Sequence, residues 1–253
     1  MGRSVARISL ERKHTIAAAF EADGSPFIGK DIGELIGGSA VGSSVSPISD
    51  ELLKKCDVVI DFSSPAASML LLDKAVVSGT PVVICPTGFD DEKKNRIYEA
   101  AKKIPVIFSP NMSVGVNVMF RLVEMASRLL AEGYDIEVFE AHHRMKKDAP
   151  SGTARKLIDV IKAAIPRLSK GKEVNGRDGI VGERTNDEIG VQVMRGGDIV
   201  GEHTVFYISP EERIEITHRA ATRDVFAKGA VRSAEFLIGK KPGHYTMDDV
   251  LEI

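Results

Sequence analysis

The chain has 253 residues, 43% hydrophobic and 28% charged, with a formal net charge of −2. That length allows one large domain or two smaller ones with ample core. The near-balanced charge gives no electrostatic footprint for nucleic acid, no apolar run is long enough to span a bilayer, and Cys56 and Cys85 make no disulfide framework. Met1 to Val5 lacks the apolar core of a signal peptide, so a cytoplasmic protein is expected.

Residues Ser4 to Leu10 read as the tail of a helix. His14 to Phe20 is an apolar run closed by Glu21, and Asp23-Gly24-Ser25-Pro26 is a turn. Residues 27–50 are rich in Gly and Ser and read as loop with at most a short helix. Val58 to Phe62 reads as a buried strand. A Ser63-Ser64-Pro65 step then opens a helix to about Ser78, with Pro in the first turn after a Ser cap. Pro81 to Cys85 is a second strand, Asp90 to Lys102 a charged helix, and Val106 to Phe108 a third strand. Strands alternating with helices predict parallel β-α-β units. Ligands gather at the carboxyl ends of such strands. Four groups fall there: Glu21, Ser63-Ser64, Cys85-Pro86-Thr87-Gly88 and Ser109-Pro110-Asn111-Met112. An acidic residue ending the second strand is the usual partner of an adenosine ribose; taken alone, Glu21 reads as a solvated strand end.

Beyond Met112 a helix runs to about Glu132, with Val118, Leu122, Met125 and Leu129 on one face, and crosses to a second domain. Asp135 to Phe139 alternates polar and apolar residues and predicts a strand. Ala154, Leu157, Ile158, Ile161 and Ile165 have helical spacing, stopped by Pro166. Residues 166–188 read as a polar loop. Ile189 to Met194, His203 to Ile208 and Arg213 to Thr217 read as strands, with a turn at Arg195 to Asp198 between the first two. Their short connections imply antiparallel pairing. A helix from about Val225 to Leu237 and a tail follow.

The densest chemistry lies between the strand at Asp135 and the helix at Ala154. Two His, an Arg and two Lys crowd into Glu140-Ala141-His142-His143-Arg144-Met145-Lys146-Lys147-Asp148, and Ala149-Pro150-Ser151-Gly152-Thr153 leads into the helix. The first-turn N–H groups of a helix lack intrahelical partners, and its dipole favours an anion. Histidine is a side-chain type suited to moving protons, and Lys146 can donate a proton or pair with an anion. A capped helix with a solvated basic turn is the plain alternative. No metal is expected, since no Cys or carboxylate completes a ligand set. Ser151 lacks the Gly-x-Ser-x-Gly turn of a nucleophile. His203 and His218, in strands, read as structural. For Arg223, contact with a cofactor or closing of a hinge on one side and a surface salt bridge on the other are equal readings.

The order Glu140-Ala141-His142-His143-x-x-Lys146-x-Asp148-Ala149-Pro150-Ser151-Gly152-Thr153-Ala154 closely resembles the signature of the dihydrodipicolinate reductases of bacterial lysine and diaminopimelate synthesis. The similarity runs from Met1 to Ile253. It includes Asp61-Phe62, Thr87-Gly88-Phe89, Asn111 to Asn117, Gly197 to Thr204 and Gly229-Ala230-Val231-Arg232.

The resemblance implies an α/β chain: a Rossmann-type dinucleotide-binding domain from residues 1–112 and 222–253, and an α+β substrate and oligomerisation domain, residues 113–221, whose open mixed sheet assembles a homotetramer. It implies NAD(P)H-dependent reduction of 4-hydroxy-tetrahydrodipicolinate to tetrahydrodipicolinate. His142 would be the proton donor or acceptor and Lys146 the second proton donor. His143, Gly152 and Thr153 would bind the substrate carboxylates, with Arg144 adding positive field. Met1, Glu21, Cys85, Pro86, Thr87, Ser109, Pro110, Asn111 and Met112 would meet the cofactor.

This sequence departs from the family pattern in three places. The family opens with an apolar strand and a Gly-x-x-Gly-Arg-Met-Gly-type loop, of which Met1-Gly2-Arg3 matches only the end. The missing strand belongs inside the sheet, so a natural chain beginning upstream of Met1 is expected in preference to a truncated, impaired protein. Cys85-Pro86 stands where the family often has Gly-Thr, and Pro removes an N–H. Ala22 stands where many members have Arg, so NADH is expected to be preferred over NADPH. Two alternatives remain: a non-catalytic dicarboxylate-binding or assembly protein, and another nicotinamide oxidoreductase with a different small acid as substrate.

Overall fold

The computed structural model describes residues 1–253. It has two compact units, Met1–Val114 together with Asp224–Ile253, and Gly115–Arg223.

The first unit begins with α1 (Gly2–Glu11), β1 (Ala19–Phe20), α2 (Ile32–Leu35), β2 (Val45–Ser46) and α3 (Asp50–Leu53). The stretch 27–50 thus holds one short helix, a two-residue strand and the start of a second helix. Then β3 (Val59–Asp61), α4 (Pro65–Ser78), β4 (Val82–Ile84), α5 (Asp91–Ala101) and β5 (Pro105–Phe108) alternate as expected. Local chemistry sets these boundaries. Ser64 caps α4 by accepting from the Ala67 N–H, Pro65 occupies its first turn, and Gly79 ends it at φ 76°. Asp90 caps α5 by accepting from the Lys93 N–H at 2.8 Å.

The second unit is built from α6 (Val114–Leu129), which starts at the boundary, β6 (Asp135–His142), α7 (Gly152–Ala164), β7 (Lys172–Asn175), β8 (Glu188–Arg195), β9 (Gly201–Ile208) and β10 (Arg213–Ala220). Returning to the first unit, the chain closes with α8 (Asp224–Leu237), β11 (Gly243–Tyr245) and α9 (Met247–Leu251).

In the first unit β11-β5-β4-β3 form a parallel sheet, while β1 and β2 pair separately. Strands β1 and β3 are both edge strands. Both line one cavity of about 1160 Å³, Ala17 to Phe20 on one side and Val58 to Asp61 on the other. The core strands are apolar throughout: Val82, Val83, Ile84, Val106 and Ile107 are almost completely buried, as parallel strands covered on both faces must be. Helix α8 lies close against the end of β5. A Cβ on Gly229 would sit 1.7 Å from the Met112 carbonyl oxygen, so only glycine permits that approach.

The second unit has a mixed sheet in the order β10-β9-β6-β8-β7. Strand β6 is parallel to β8 and antiparallel to β9. This corrects two readings. Strands β8 and β9, consecutive in sequence, do not pair, because β6 lies between them. The polar stretch 166–188 contains a 3₁₀ turn at Pro166–Leu168 and the edge strand β7. Its backbone pairs with β8 despite a side-chain pattern, Lys-Glu-Val-Asn, with no apolar face.

Helices α6 and α7 cover one sheet face. There Val116, Met119, Phe120 and Val123 of α6 and Leu157, Ile158 and Ile161 of α7 meet Ile136, Val138, Ile189, Val191, Val205 and Tyr207. The stripe Val118, Leu122, Met125 and Leu129 lies on the exposed side of α6. That helix carries apolar residues on more than one face, and periodicity alone does not choose between them. No helix of the structure is long and apolar enough to cross a membrane.

Candidate active site

Strand β6 alternates, and its even-numbered residues face α7. The first two, Ile136 and Val138, are core. The next two on that face are Glu140 and His142, 0% and 8% exposed. The sheet therefore runs from an apolar middle to a polar end without changing face. Register brings neighbours to the same end: Glu140 lies opposite His203 on β9, and His142 opposite Arg195 on β8.

Each Glu140 carboxylate oxygen takes two donors. One receives His142 Nδ1 and the Arg195 Nη1 at 2.9 Å. The other receives the Ser151 N–H at 3.0 Å and Arg195 Nη2 at 2.9 Å. Burial alone would push this carboxyl upward, but the hydrogen bonds from His142, Arg195 and Ser151 outweigh it and hold it at about 2. It is therefore an ionised group that can only accept, so His142 Nδ1 is the donor. The other ring nitrogen, Nε2, is left for chemistry. Nε2 lies against Gly201, where a Cβ would come within 3.1 Å of it.

Ser151 caps α7, its Oγ accepting from the Ala154 N–H at 3.2 Å. The same Oγ is 3.1 Å from His203 Nε2. The His203 ring packs edge-on to His142, with centroids 5.2 Å apart. Burial, followed by the charge of His142, pushes His203 down to about 3, so it stays neutral. Its Nδ1 is buried without a partner, as is that of His218, the cross-strand neighbour on β10. Next to the Ser151 cap, Gly152 is exposed, with no atom within 4 Å of where a Cβ would stand. The start of α7 is thus open to an anion at the residue that carries its first-turn backbone.

The loop between β6 and α7 holds the remaining cations. Lys146 Nζ donates to both oxygens of Asp148, at 2.8 and 2.9 Å, which holds the Asp148 carboxyl below the usual range. Arg195 Nη2 also donates to the Asp148 carbonyl at 2.8 Å. His143 is half-buried and Arg144 exposed. The structure thus groups His142, Lys146, His143, Gly152 and Thr153 on one strand end, one loop and one helix start.

Sequence reasoning missed Glu140 and Arg195 as parts of this cluster. The signal was there for Glu140: it follows Ile136 and Val138 at intervals of two, so a carboxylate sits where the pattern demands an apolar residue. Arg195 had no such signal, because its placement depends on the parallel β6–β8 register.

Of the residues expected to meet a cofactor, Met1 and Glu21 line the 1160 Å³ cavity of the first unit together with Gly2 and Ser63. Helix α1 opens there with no side-chain cap, and Glu21 is exposed at the end of β1. An uncapped helix start suits a pyrophosphate and an exposed strand-end carboxylate suits a ribose diol, so these residues fit a dinucleotide. Cys85, Pro86 and Thr87 follow β4, and Ser109, Pro110, Asn111 and Met112 follow β5, outside that lining. Pro86 and Ser109 are buried. The Met112 side chain packs in the core with Val83 and Ile107, and burial pushes the Cys85 thiol up. No group of three or more His, Cys, Asp or Glu side chains is arranged to hold a metal.

Two family models match almost the whole chain: the dihydrodipicolinate reductase N-terminus over residues 1–112 and its C-terminus over residues 115–251. A 4-hydroxy-tetrahydrodipicolinate reductase from Citrifermentans bemidjiense is 46% identical over 250 residues, 99% of this chain and 94% of the relative. One from Anaeromyxobacter dehalogenans is 50% identical over 236 residues, 93% of this chain and 87% of the relative. Among solved structures, a dipicolinate-bound dihydrodipicolinate reductase from Paenisporosarcina sp. TG-14 superposes with a TM-score of 0.75 at 20% identity. It covers 98% of this chain and 94% of that one, a likeness of fold.

Proposed function

The chain belongs to the dihydrodipicolinate reductase family, and from that membership we propose that it reduces 4-hydroxy-tetrahydrodipicolinate to tetrahydrodipicolinate, with loss of water, at the expense of NAD(P)H. The observation that carries this reading is the buried Glu140–His142 pair beside the open, Ser151-capped start of α7. It combines a proton-handling ring with an anion site, which a dicarboxylate undergoing reduction requires.

A bound nicotinamide cofactor would supply hydride. Met1, Glu21 and the segments after β4 and β5 would hold it. The residues of the second unit then have distinct tasks. The substrate carboxylates are met by the N–H groups of Gly152 and Thr153 and by His143, with Arg144 adding positive potential. Loss of the 4-hydroxyl as water gives a conjugated imine, and hydride addition to it leaves an enamine, whose carbon needs a proton. The doubly protonated His142 ring delivers it from Nε2 and is left as the neutral Nδ1–H form, since Nδ1 stays committed to Glu140. Lys146 is the second proton donor, and release from Asp148 makes it available. A non-catalytic binding protein is not favoured: a dicarboxylate could be held by the α7 start alone, without a buried, ion-paired histidine.

Three finer statements belong to this reading. NADH is preferred over NADPH, because Ala22 offers no cation to a 2′-phosphate and Glu21 would repel it. The enzyme is a homotetramer, supported by the mixed-sheet face bearing Phe139, Phe206 and Ile208, which neither α6 nor α7 covers, and it works in the cytoplasm, supported by its membership of a biosynthetic reductase family. The first unit binds the dinucleotide and the second binds substrate. The test is coupled turnover, with substrate generated from pyruvate and aspartate semialdehyde, monitored by nicotinamide absorbance with each cofactor. Substrate-dependent oxidation with a higher kcat/KM for NADH is expected. No oxidation with either cofactor would overturn the activity, and a clear NADPH preference would overturn the cofactor assignment.

A further inference from the structure

We propose that Glu140 is the positioning residue of this site, setting the tautomer of the His142 ring and locking the ring, the Lys146 loop and the start of α7 into one unit. The proposal rests on the reductase reading above and adds to it a role for a residue that touches no substrate.

The argument begins with cost. An ionised carboxylate with no solvent exposure is strongly penalised unless every lone pair is used. Glu140 meets that condition with donors from three segments: His142 on its own strand, Arg195 on β8, and the Ser151 backbone at the mouth of α7. Arg195 extends the link to the Asp148 carbonyl, next to the carboxylate that holds Lys146. One carboxylate therefore ties together the groups that would move protons and the helix start that would bind an anion. A purely structural side chain at this position would be served by the valine and isoleucine that precede it on the same face of β6.

The distribution of donors makes the proposal specific. Each oxygen of Glu140 accepts two, one of them from Arg195. A glutamine has only one acceptor oxygen, so in either orientation its amide NH₂ faces two donors. The arrangement that relieves this most readily turns the NH₂ toward His142 Nδ1, which must then become an acceptor. The neutral ring would carry its proton on Nε2, and the nitrogen facing Gly201 would lose the lone pair at which the ring takes up the proton it passes to substrate. Histidine tautomers are set in this way by the partner of the other nitrogen.

The first test uses nitrogen-15 correlation spectra of the histidine side chains in the intact protein, read on the neutral ring of His142. The wild type is expected to show His142 as the Nδ1–H tautomer, and E140Q to show it as Nε2–H or as a mixture. The second test is kinetic. In E140Q, kcat should fall by roughly 10²-fold or more, as when a general acid loses its orienting partner, while KM for the nicotinamide cofactor changes by less than about threefold. E140D, which keeps the charge, should retain the Nδ1–H tautomer and recover part of the loss. A wild-type ring in the Nε2–H form overturns the proposal, and so does an E140Q enzyme with unchanged kcat. Should E140Q not fold, the wild-type spectrum decides alone. Because that spectrum needs no turnover, a wild type with the expected tautomer and no reductase activity would overturn the function while leaving the positioning role intact.

Discussion

The two sheets of this protein both pack against helices, the first on two faces and the second on one, yet they differ in what their strands carry. In the first unit, β4 and β5 bury Val82, Val83, Ile84, Val106 and Ile107, and every chemically useful group is deferred to the segments that follow. In the second unit the chemistry is on the strands themselves. The face that buries Ile136 and Val138 continues with Glu140 and His142, and the facing strand continues from Tyr207 and Val205 to His203. The parallel sheet gives no acidic or basic residue to β4 or β5; its one buried carboxyl, Asp61, ends the edge strand β3, where Ser63 and Ser68 donate to it. The mixed sheet tolerates one where Arg195, Ser151 and His203 converge on it. The first sheet is therefore a platform, and the second is itself part of the candidate site.

That contrast predicts that substitutions on the second sheet cost turnover and those in the first cost stability. The largest effect is expected from His142→Gln. Losing the proposed proton donor should lower kcat by roughly 10²- to 10⁴-fold with little change in cofactor KM, measured by steady-state kinetics. A loss below tenfold would move the proton donor elsewhere.

A pair of identical changes sharpens the comparison. Gly229→Ala drives a Cβ to 1.7 Å from the Met112 carbonyl oxygen, and α8 must shift. Overpacking of this kind costs about 1–3 kcal/mol or more, read as a lowered Tm. Gly201→Ala brings a Cβ to 3.1 Å from His142 Nε2, a contact that a small ring rotation relieves. Its Tm should barely change, while kcat falls about tenfold through misplacement of that nitrogen. If Gly201→Ala lowers Tm and spares kcat, the sheet end is structural after all.

A smaller effect follows from titration. His203 is held at about 3 in the folded protein, below its ordinary 6.5, so the unfolded chain takes up that proton first. Stability should be complete above pH 6.5 and fall as pH drops toward 3. Glu140, held at about 2 rather than 4.5, should extend the fall from pH 4.5 to 2. His203→Gln removes the first part and keeps the second, which denaturant unfolding at a series of pH values would measure. An unchanged profile would mean that His203 is not held neutral by burial.

Much of this was legible before the structure. The Ser64-Pro65 opening and Gly79 bound α4 because capping chemistry is local. Helix α7 announced itself through Ser151, the apolar spacing and Pro166. The histidine, lysine and helix-start cluster was visible because it is contiguous. What escaped depends on partners distant in sequence. Strand β7 forms from Lys-Glu-Val-Asn because β8 offers an edge, and β9 skips β8 because β6 takes the place between them. Arg195 joins the site only through that pairing. The exposed stripe of α6 shows the limit of periodicity, since Val118, Leu122, Met125 and Leu129 repeat as regularly as the residues that are buried.

The most direct test is a titration of the intact protein with dipicolinate, following backbone amide resonances from Ser151 to Ala154 and the ring signals of His142. The account predicts that these move together, with one shared dissociation constant, and that reversing charge at His143 with His143→Glu weakens it. Dipicolinate that shifts neither the start of α7 nor the His142 ring would contradict the assignment of this sheet end as the place where substrate is held and protonated.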